Sequence, residues 1–87
     1  MVADRGPRLT IMAEMDPLVF MRILQLIGSL NLVPRRASAV LLDDEAIRID
    51  LELPVHERLR YEYFCKRVLA LPTVISMQCD DDKESET

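Results

Sequence analysis

The chain is poor in the residues that most catalytic chemistry draws on. Its 87 residues hold one histidine (His56), two cysteines (Cys65 and Cys79) and two glycines. A general base needs an orienting partner and a cleft. His56 instead stands beside Glu57 at an expected helix start, where a solvated capping or hinge role suits it. No serine or cysteine sits in an evident nucleophile setting, so an enzyme is not expected. The two cysteines make no disulfide framework, and neither forms the Cys-x-x-Cys loop of a soft-metal chaperone. Both thiols are read as free, buried and apolar, in a reducing cytoplasm. No metal site and no cofactor is expected. With only two Tyr and two Phe the core must be aliphatic and Met-rich. No apolar run approaches the ~18–20 residues of a membrane span. Met1-Val2-Ala3-Asp4-Arg5-Gly6-Pro7 lacks the apolar stretch of a secretory leader, so a cytoplasmic location is expected.

Charge of one sign is scarce once the end of the chain is set aside. The net charge is −4. The segment Asp80-Asp81-Asp82-Lys83-Glu84-Ser85-Glu86-Thr87 carries five acids and one Lys, which accounts for all of it. Residues 1–79 therefore balance ten basic against ten acidic side chains. No global field for nucleic acid or an anionic membrane is expected. Residues 80–87 read as an acidic disordered tail and residues 1–7 as a flexible arm ended by Gly6-Pro7. The domain between them, 8–79, is short. It buries only roughly 60–65% of its unfolded surface, so association with another chain would help it.

What is present is one layout used twice. Arg8–Met15 alternates, with Leu9, Ile11, Ala13 and Met15 on one side and Thr10, Met12 and Glu14 on the other. Asp16-Pro17 then opens a helix, Asp16 as cap and Pro17 at the first helical position. The helix is expected to reach about Leu30, with Phe20, Ile23, Leu24 and Ile27 inward. Leu18, Val19 and Leu26 widen its apolar face beyond what one contact needs. Asn31 suits a left-handed residue after the helix. A second strand follows at Arg36–Leu42, then the turn Asp43-Asp44-Glu45. Ala46–Leu53 is the most regular strand, with Arg48, Asp50 and Glu52 turned out. The second helix is expected over His56–Ala70, with Leu59, Tyr63, Phe64 and Val68 inward. The last strand is Thr73–Cys79, and its facing stays open because both faces carry apolar residues.

Strand–helix–strand–strand–helix–strand is the split βαβ arrangement. The expected fold is α+β, a ferredoxin-like βαββαβ sandwich. It has a four-stranded antiparallel sheet in the order four-one-three-two and two helices on one face. An RNA-binding version needs aromatics on the open face of the central strands. Here that face reads Thr10, Met12, Glu14, Arg48, Asp50 and Glu52. A phosphate-handling version needs an anion loop at the first helix N-terminus, where Asp16 would repel the anion. Pro34-Arg35-Arg36 reads either as edge protection on strand two or as a basic contact for a partner or a second copy.

Asp16-Pro17 with Met21-Arg22-Ile23-Leu24-Gln25-Leu26-Ile27 resembles a known pattern. So do Ala46-Ile47-Arg48-Ile49-Asp50-Leu51-Glu52-Leu53 and Lys66-Arg67-Val68-Leu69 with Val74. From Met15 to Cys79 the chain resembles an ACT domain, the regulatory module of amino-acid metabolism. The likeness is strongest to the short regulatory subunit of acetolactate synthase (acetohydroxyacid synthase), isozyme II. The resemblance implies a homodimer in which two sheets join edge to edge. It implies a catalytic large subunit as partner, one that uses thiamine diphosphate, a divalent metal and often FAD. It implies an accessory role in branched-chain amino-acid synthesis, with an amino-acid effector held near Met15, Asp16, Pro17, Leu18 and Asn31. The family pattern usually has Gly in the first strand–helix loop, where this chain has Asp16-Pro17-Leu18. The alternative reading is a free-standing amino-acid sensor that binds its ligand at a dimer interface.

Overall fold

A computed structural model describes residues 7–43, 45–54 and 58–80. The elements run β1 (Arg8–Glu14), α1 (Val19–Ser29), β2 (Arg36–Asp43), β3 (Ala46–Glu52), α2 (Arg58–Leu69) and β4 (Val74–Asp80). The sheet order is β2-β3-β1-β4, and all three pairings are antiparallel. This is the expected ferredoxin-like architecture, with the expected strand order. His56 and the acidic tail beyond Asp80 lie outside the described residues, as do Asp44 of the turn and the first six residues of the arm.

Period-two patterning decides the sheet's facing. Leu9 lies opposite Leu51, Ile11 opposite Ile49 and Ala13 opposite Ile47, and all six are buried. Val19, Ile23 and Ile27 of α1 and Phe64 and Val68 of α2 close over them in one cluster. The opposite face is open. Across it Arg36, Glu52 and Arg8 occupy one register row of alternating charge. In the next row Thr10 Oγ1 donates to Asp50 Oδ1 at 3.2 Å, and Arg48 Nε reaches Asp50 Oδ2 at 3.1 Å. The outward placing of Arg48, Asp50 and Glu52 agrees with the sequence reading.

Several boundaries and faces differ from the sequence reading. β1 stops at Glu14, and Met15 is an exposed bend rather than an inward strand residue. Asp16-Pro17 forms a turn before α1, not its first turn. The helix cap position is Leu18, and no side chain caps it. Inside α1 the buried stripe is Val19, Ile23 and Ile27, with Phe20 and Leu24 half-buried on its flank. In α2, Leu59 and Tyr63 are exposed, and Tyr61 and Cys65 take their place against the core. Residues 61, 64, 65 and 68 are the stripe that fits one helical face.

Asn31 has φ of 61°, the left-handed conformation expected for it. Its N–H donates to Gly28 O at 2.9 Å, and Leu32 N–H donates to Ile27 O at 3.2 Å. That paired closure satisfies the last carbonyls of α1 and turns the chain toward β2. β4, whose facing was open, sends Val74, Met77 and Cys79 to the helix side, opposite Ala13, Ile11 and Leu9. A register shift between Met12 and Ala13 leaves Ile75 out of the pairing and exposed.

Candidate functional site

The loop from β1 to α1 gathers four of the five residues expected to meet an effector. Its backbone is held to neighbouring segments at the β1 end. Glu14 N–H donates to Thr73 O at 2.8 Å, and Met15 N–H donates to Glu45 O at 3.0 Å. Asp16 then uses both carboxylate oxygens. Oδ1 accepts from Leu18 N–H at 3.0 Å, and Oδ2 accepts from Thr73 Oγ1 at 3.3 Å. Pro17 has no N–H to offer. A negative group therefore already occupies the place where a ligand carboxylate would seek donors. The rim is apolar: Met15, Leu18 and Met21 are each about half exposed. Asn31 does not join this loop. It lies past the other end of α1, about 16 Å away along an 11-residue helix.

The second candidate surface is β2. It is an edge strand, and none of its eight residues is buried. Its helix-side positions are Ala37, Ala39 and Leu41, opposite Leu51, Ile49 and Ile47. Ala37 is half-buried against the core, whereas Ala39 and Leu41 are exposed, Leu41 by 53%. Val40 and Leu42 are also exposed. The strand enters through Pro34, half-buried, and the exposed Arg35 and Arg36. Arg35 N–H donates to Glu52 O at 2.7 Å, so the sheet pairing extends one residue upstream. Arg36 Nε stands 3.9 Å from Glu52 Oε1, at the limit of an ion pair. The three residues thus sit at one end of an open apolar edge.

The third feature was not foreseen from the sequence. Tyr61 and Cys65, one turn apart on α2, face β4, and the Tyr61 hydroxyl meets Cys79 Sγ. Burial is the main cause that pushes the Cys65 thiol above its ordinary pKa, while a hydrogen bond with Tyr61 pulls it partly back. Burial also raises the Tyr61 hydroxyl, followed by its hydrogen bond with Cys79. Cys65 is half-buried, and Cys79 is exposed, contrary to the expectation that both would be buried. Cys79 falls on the edge strand β4, where a side chain on the helix face is covered only from one side. The signal that could have located the cluster was the i, i+3, i+4, i+7 set Tyr61, Phe64, Cys65 and Val68. Both thiols are free.

Among the described residues, no group of three or more His, Cys, Asp or Glu side chains is placed to hold a metal ion. No described helix is long and apolar enough to cross a membrane.

No family model matches the chain, and no curated protein matches it. Solved structures do share its fold. The C-terminal domain of the MgtC protein from Mycobacterium tuberculosis aligns with a TM-score of 0.73 at 16% identity, over 92% of this chain and 93% of that one. The crystal structure of the ACT domain from GTP pyrophosphokinase of Chlorobium tepidum aligns with a TM-score of 0.74 at 12% identity, over 88% of this chain and all (100%) of that one. A solution structure of the same domain gives a TM-score of 0.70 at 12% identity, over 85% and 83%. At such identities the likeness is one of fold. The chain has an ACT-like, ferredoxin-like α+β fold.

Proposed function

We propose that this chain is a non-catalytic regulatory module that works as a dimer joined through β2 and acts by binding a catalytic partner. The observation that carries the reading is the eight-residue edge strand with no buried residue and three exposed aliphatic side chains. Fully burying a Val or Leu side chain contributes ~1.5–3 kcal/mol. Covering the exposed half of Val40, Leu41 and Leu42 in two copies therefore contributes on the order of 6 kcal/mol. Association costs ~4–15 kcal/mol, so apolar cover alone makes a weak dimer. Backbone pairing of the two edges would supply the rest.

The partner in this reading is an acetolactate synthase-like, thiamine-dependent large subunit of branched-chain amino-acid synthesis. The support is the sequence resemblance between Met15 and Cys79, together with the ACT-like fold. The module would favour the active form of that subunit by binding it more tightly than the inactive form. Asp16 and Pro17 weigh against a ligand carboxylate in the β1–α1 loop, which favours the accessory role over amino-acid sensing. The sensor reading draws its own support from the half-exposed Met15, Leu18 and Met21 around that loop.

The test is reconstitution with such a large subunit, with acetolactate formation measured with and without this chain. The expected result is a stable complex and a gain in activity. Leu41→Lys is expected to sediment as a monomer while keeping its fold. If the large subunit stays unbound and unchanged, the accessory role is wrong. If Leu41→Lys and the parent sediment alike, the β2 dimer is wrong. Calorimetry with the twenty amino acids addresses the sensor reading, which uniformly flat traces would eliminate.

A further inference from the structure

We propose that the charges at the two ends of β2 dictate how two copies join. Arg35 and Arg36 of each copy lie against Asp43 and Glu45 of the other, which fixes an antiparallel, twofold pairing and makes it salt-sensitive. This rests on the β2 dimer and adds its orientation. In the described sheet β2 has an outer edge with no strand beside it. Its charges are sorted by position. Arg35 and Arg36 are exposed where the strand begins, and Asp43 and Glu45 are exposed where it ends. Ala37 to Leu42, between them, carry no charge. The Arg36 side chain is 74% exposed, and its Nε only just reaches Glu52. Asp43 Oδ1 accepts from Glu45 N–H at 2.9 Å, which leaves Oδ2 for a cation.

Two identical edges that close on each other are related by a twofold axis. For strands joined edge to edge that axis stands normal to the sheet, so the strands run antiparallel and both helix layers stay on one side. Residues that face each other then share a face of the sheet, so the axis passes through a residue. With the axis at Ala39, Arg35 falls opposite Asp43 of the other copy. With the axis at Val40, Arg35 falls opposite Glu45 of the other copy. The irregularity between Leu41 and Asp43 moves this match by one position, a step of ~3.4 Å that an Arg side chain spans. Either register sets the basic start of one strand against the acidic end of the other, at both ends of the dimer. Cross-strand pairs of opposite charge are favourable, and like charges are not. A parallel join would set Arg36 beside Arg36 and Asp43 beside Asp43. A head-to-tail join of β2 on β4 would leave Asp43 beside Val74, Ile75 and Ser76, which carry no charge, and it would grow without closing.

The experiment is sedimentation of the full chain across a concentration series, with the fold of each variant checked by far-UV circular dichroism. The parent dimer should loosen several-fold between ~0.05 and ~0.5 M sodium chloride, because its end charges become screened. Arg36→Glu turns an attraction into a repulsion at both ends at once, and should weaken the dimer by roughly 10-fold. Combining Arg36→Glu with Asp43→Arg in one chain should restore most of that loss. Should Arg36→Glu disturb the monomer through its neighbour Glu52, Glu45→Arg makes the same test from the other end of the strand. A parent that stays monomeric throughout would overturn the β2 dimer itself. A dimer that Leu41→Lys dissociates, but that salt tightens or that Arg36→Glu and Glu45→Arg leave unchanged, would keep the dimer and overturn its orientation by charge. Species that grow beyond a dimer with concentration would overturn the twofold closure.

Discussion

The closure of α1 offers a test in which one kind of substitution has opposite effects three residues apart. Asn31 holds φ of 61° and Gly28 does not have positive φ. A side chain with a Cβ in the left-handed region costs ~1–2 kcal/mol, and Asn tolerates that region better than Ala does. Asn31→Ala should therefore destabilise the domain by about 1 kcal/mol, with both closing hydrogen bonds still formed by the backbone. At Gly28 an added Cβ meets nothing within 4 Å. Replacing a helical Gly by Ala reduces the freedom of the unfolded chain and gains ~0.4–1 kcal/mol. The two alanine variants should differ by roughly 1.5–2 kcal/mol, which for a domain of this size is about 6–16 °C in Tm. Asn31→Gly should stay within about 0.5 kcal/mol of the parent, since Gly accepts the conformation but frees the unfolded chain. Thermal unfolding followed by far-UV circular dichroism measures all three. An Asn31→Ala variant as stable as Gly28→Ala would refute the argument that backbone conformation, not side-chain contact, decides these two positions.

Two other outcomes follow from the loop and from the thiol. Asp16→Ala removes the acceptors of Leu18 N–H and Thr73 Oγ1, and should cost about 1–2 kcal/mol in urea unfolding; no loss would mean that the loop is held by its backbone bonds alone. The raised Cys65 and Tyr61 groups hold their protons longer in the folded chain than in the unfolded one. Their stabilising effect is complete below the ordinary thiol pKa of ~8.5 and declines as pH rises through that range and beyond. Unfolding measured from pH 7 upward should show that decline, with a shallower slope in Cys65→Ser. A stability that rises over the same range would contradict the burial of these groups.

The sheet was far more legible in the sequence than the second helix. Ile47 to Leu53 alternates without a fault, and one buried face forces one register, so β3 and its outward Arg48, Asp50 and Glu52 could be read directly. α2 carries two competing apolar sets. Leu59 and Tyr63 form one, while Tyr61, Phe64, Cys65 and Val68 form the other. Pattern alone ranks a Leu above a Cys, yet the set of four spans a longer stripe and wins the core. Tyr63 is left outside, with the Arg67 guanidinium 5.9 Å from its ring. In the loop, Asp16-Pro17 reads locally as a helix start because both residue types favour that place. The structure instead uses the Asp16 carboxylate to tie the turn to Thr73, a partner 57 positions away. No local signal announces a hydrogen bond of that span. The place of the β1–α1 loop is thus legible in the sequence, but the hydrogen bonds that hold it are not. The edge position of β2 follows from topology, while the exposure of all its residues but Ala37 depends on how far two helices can cover four strands.

The pairing of β1 with β4 also has a consequence for how such a unit is built and used. Arg8 lies opposite Asp80, so the first and last strands are neighbours and the chain enters and leaves the domain at one corner. Until the last strand has been made β1 is itself an open edge, because its outer neighbour is β4. Folding is therefore governed by a contact that spans the whole domain, which slows it relative to local pairing. In return, a domain whose ends meet can be spliced into a longer chain without stretching either side. The same register that delays completion makes the unit portable.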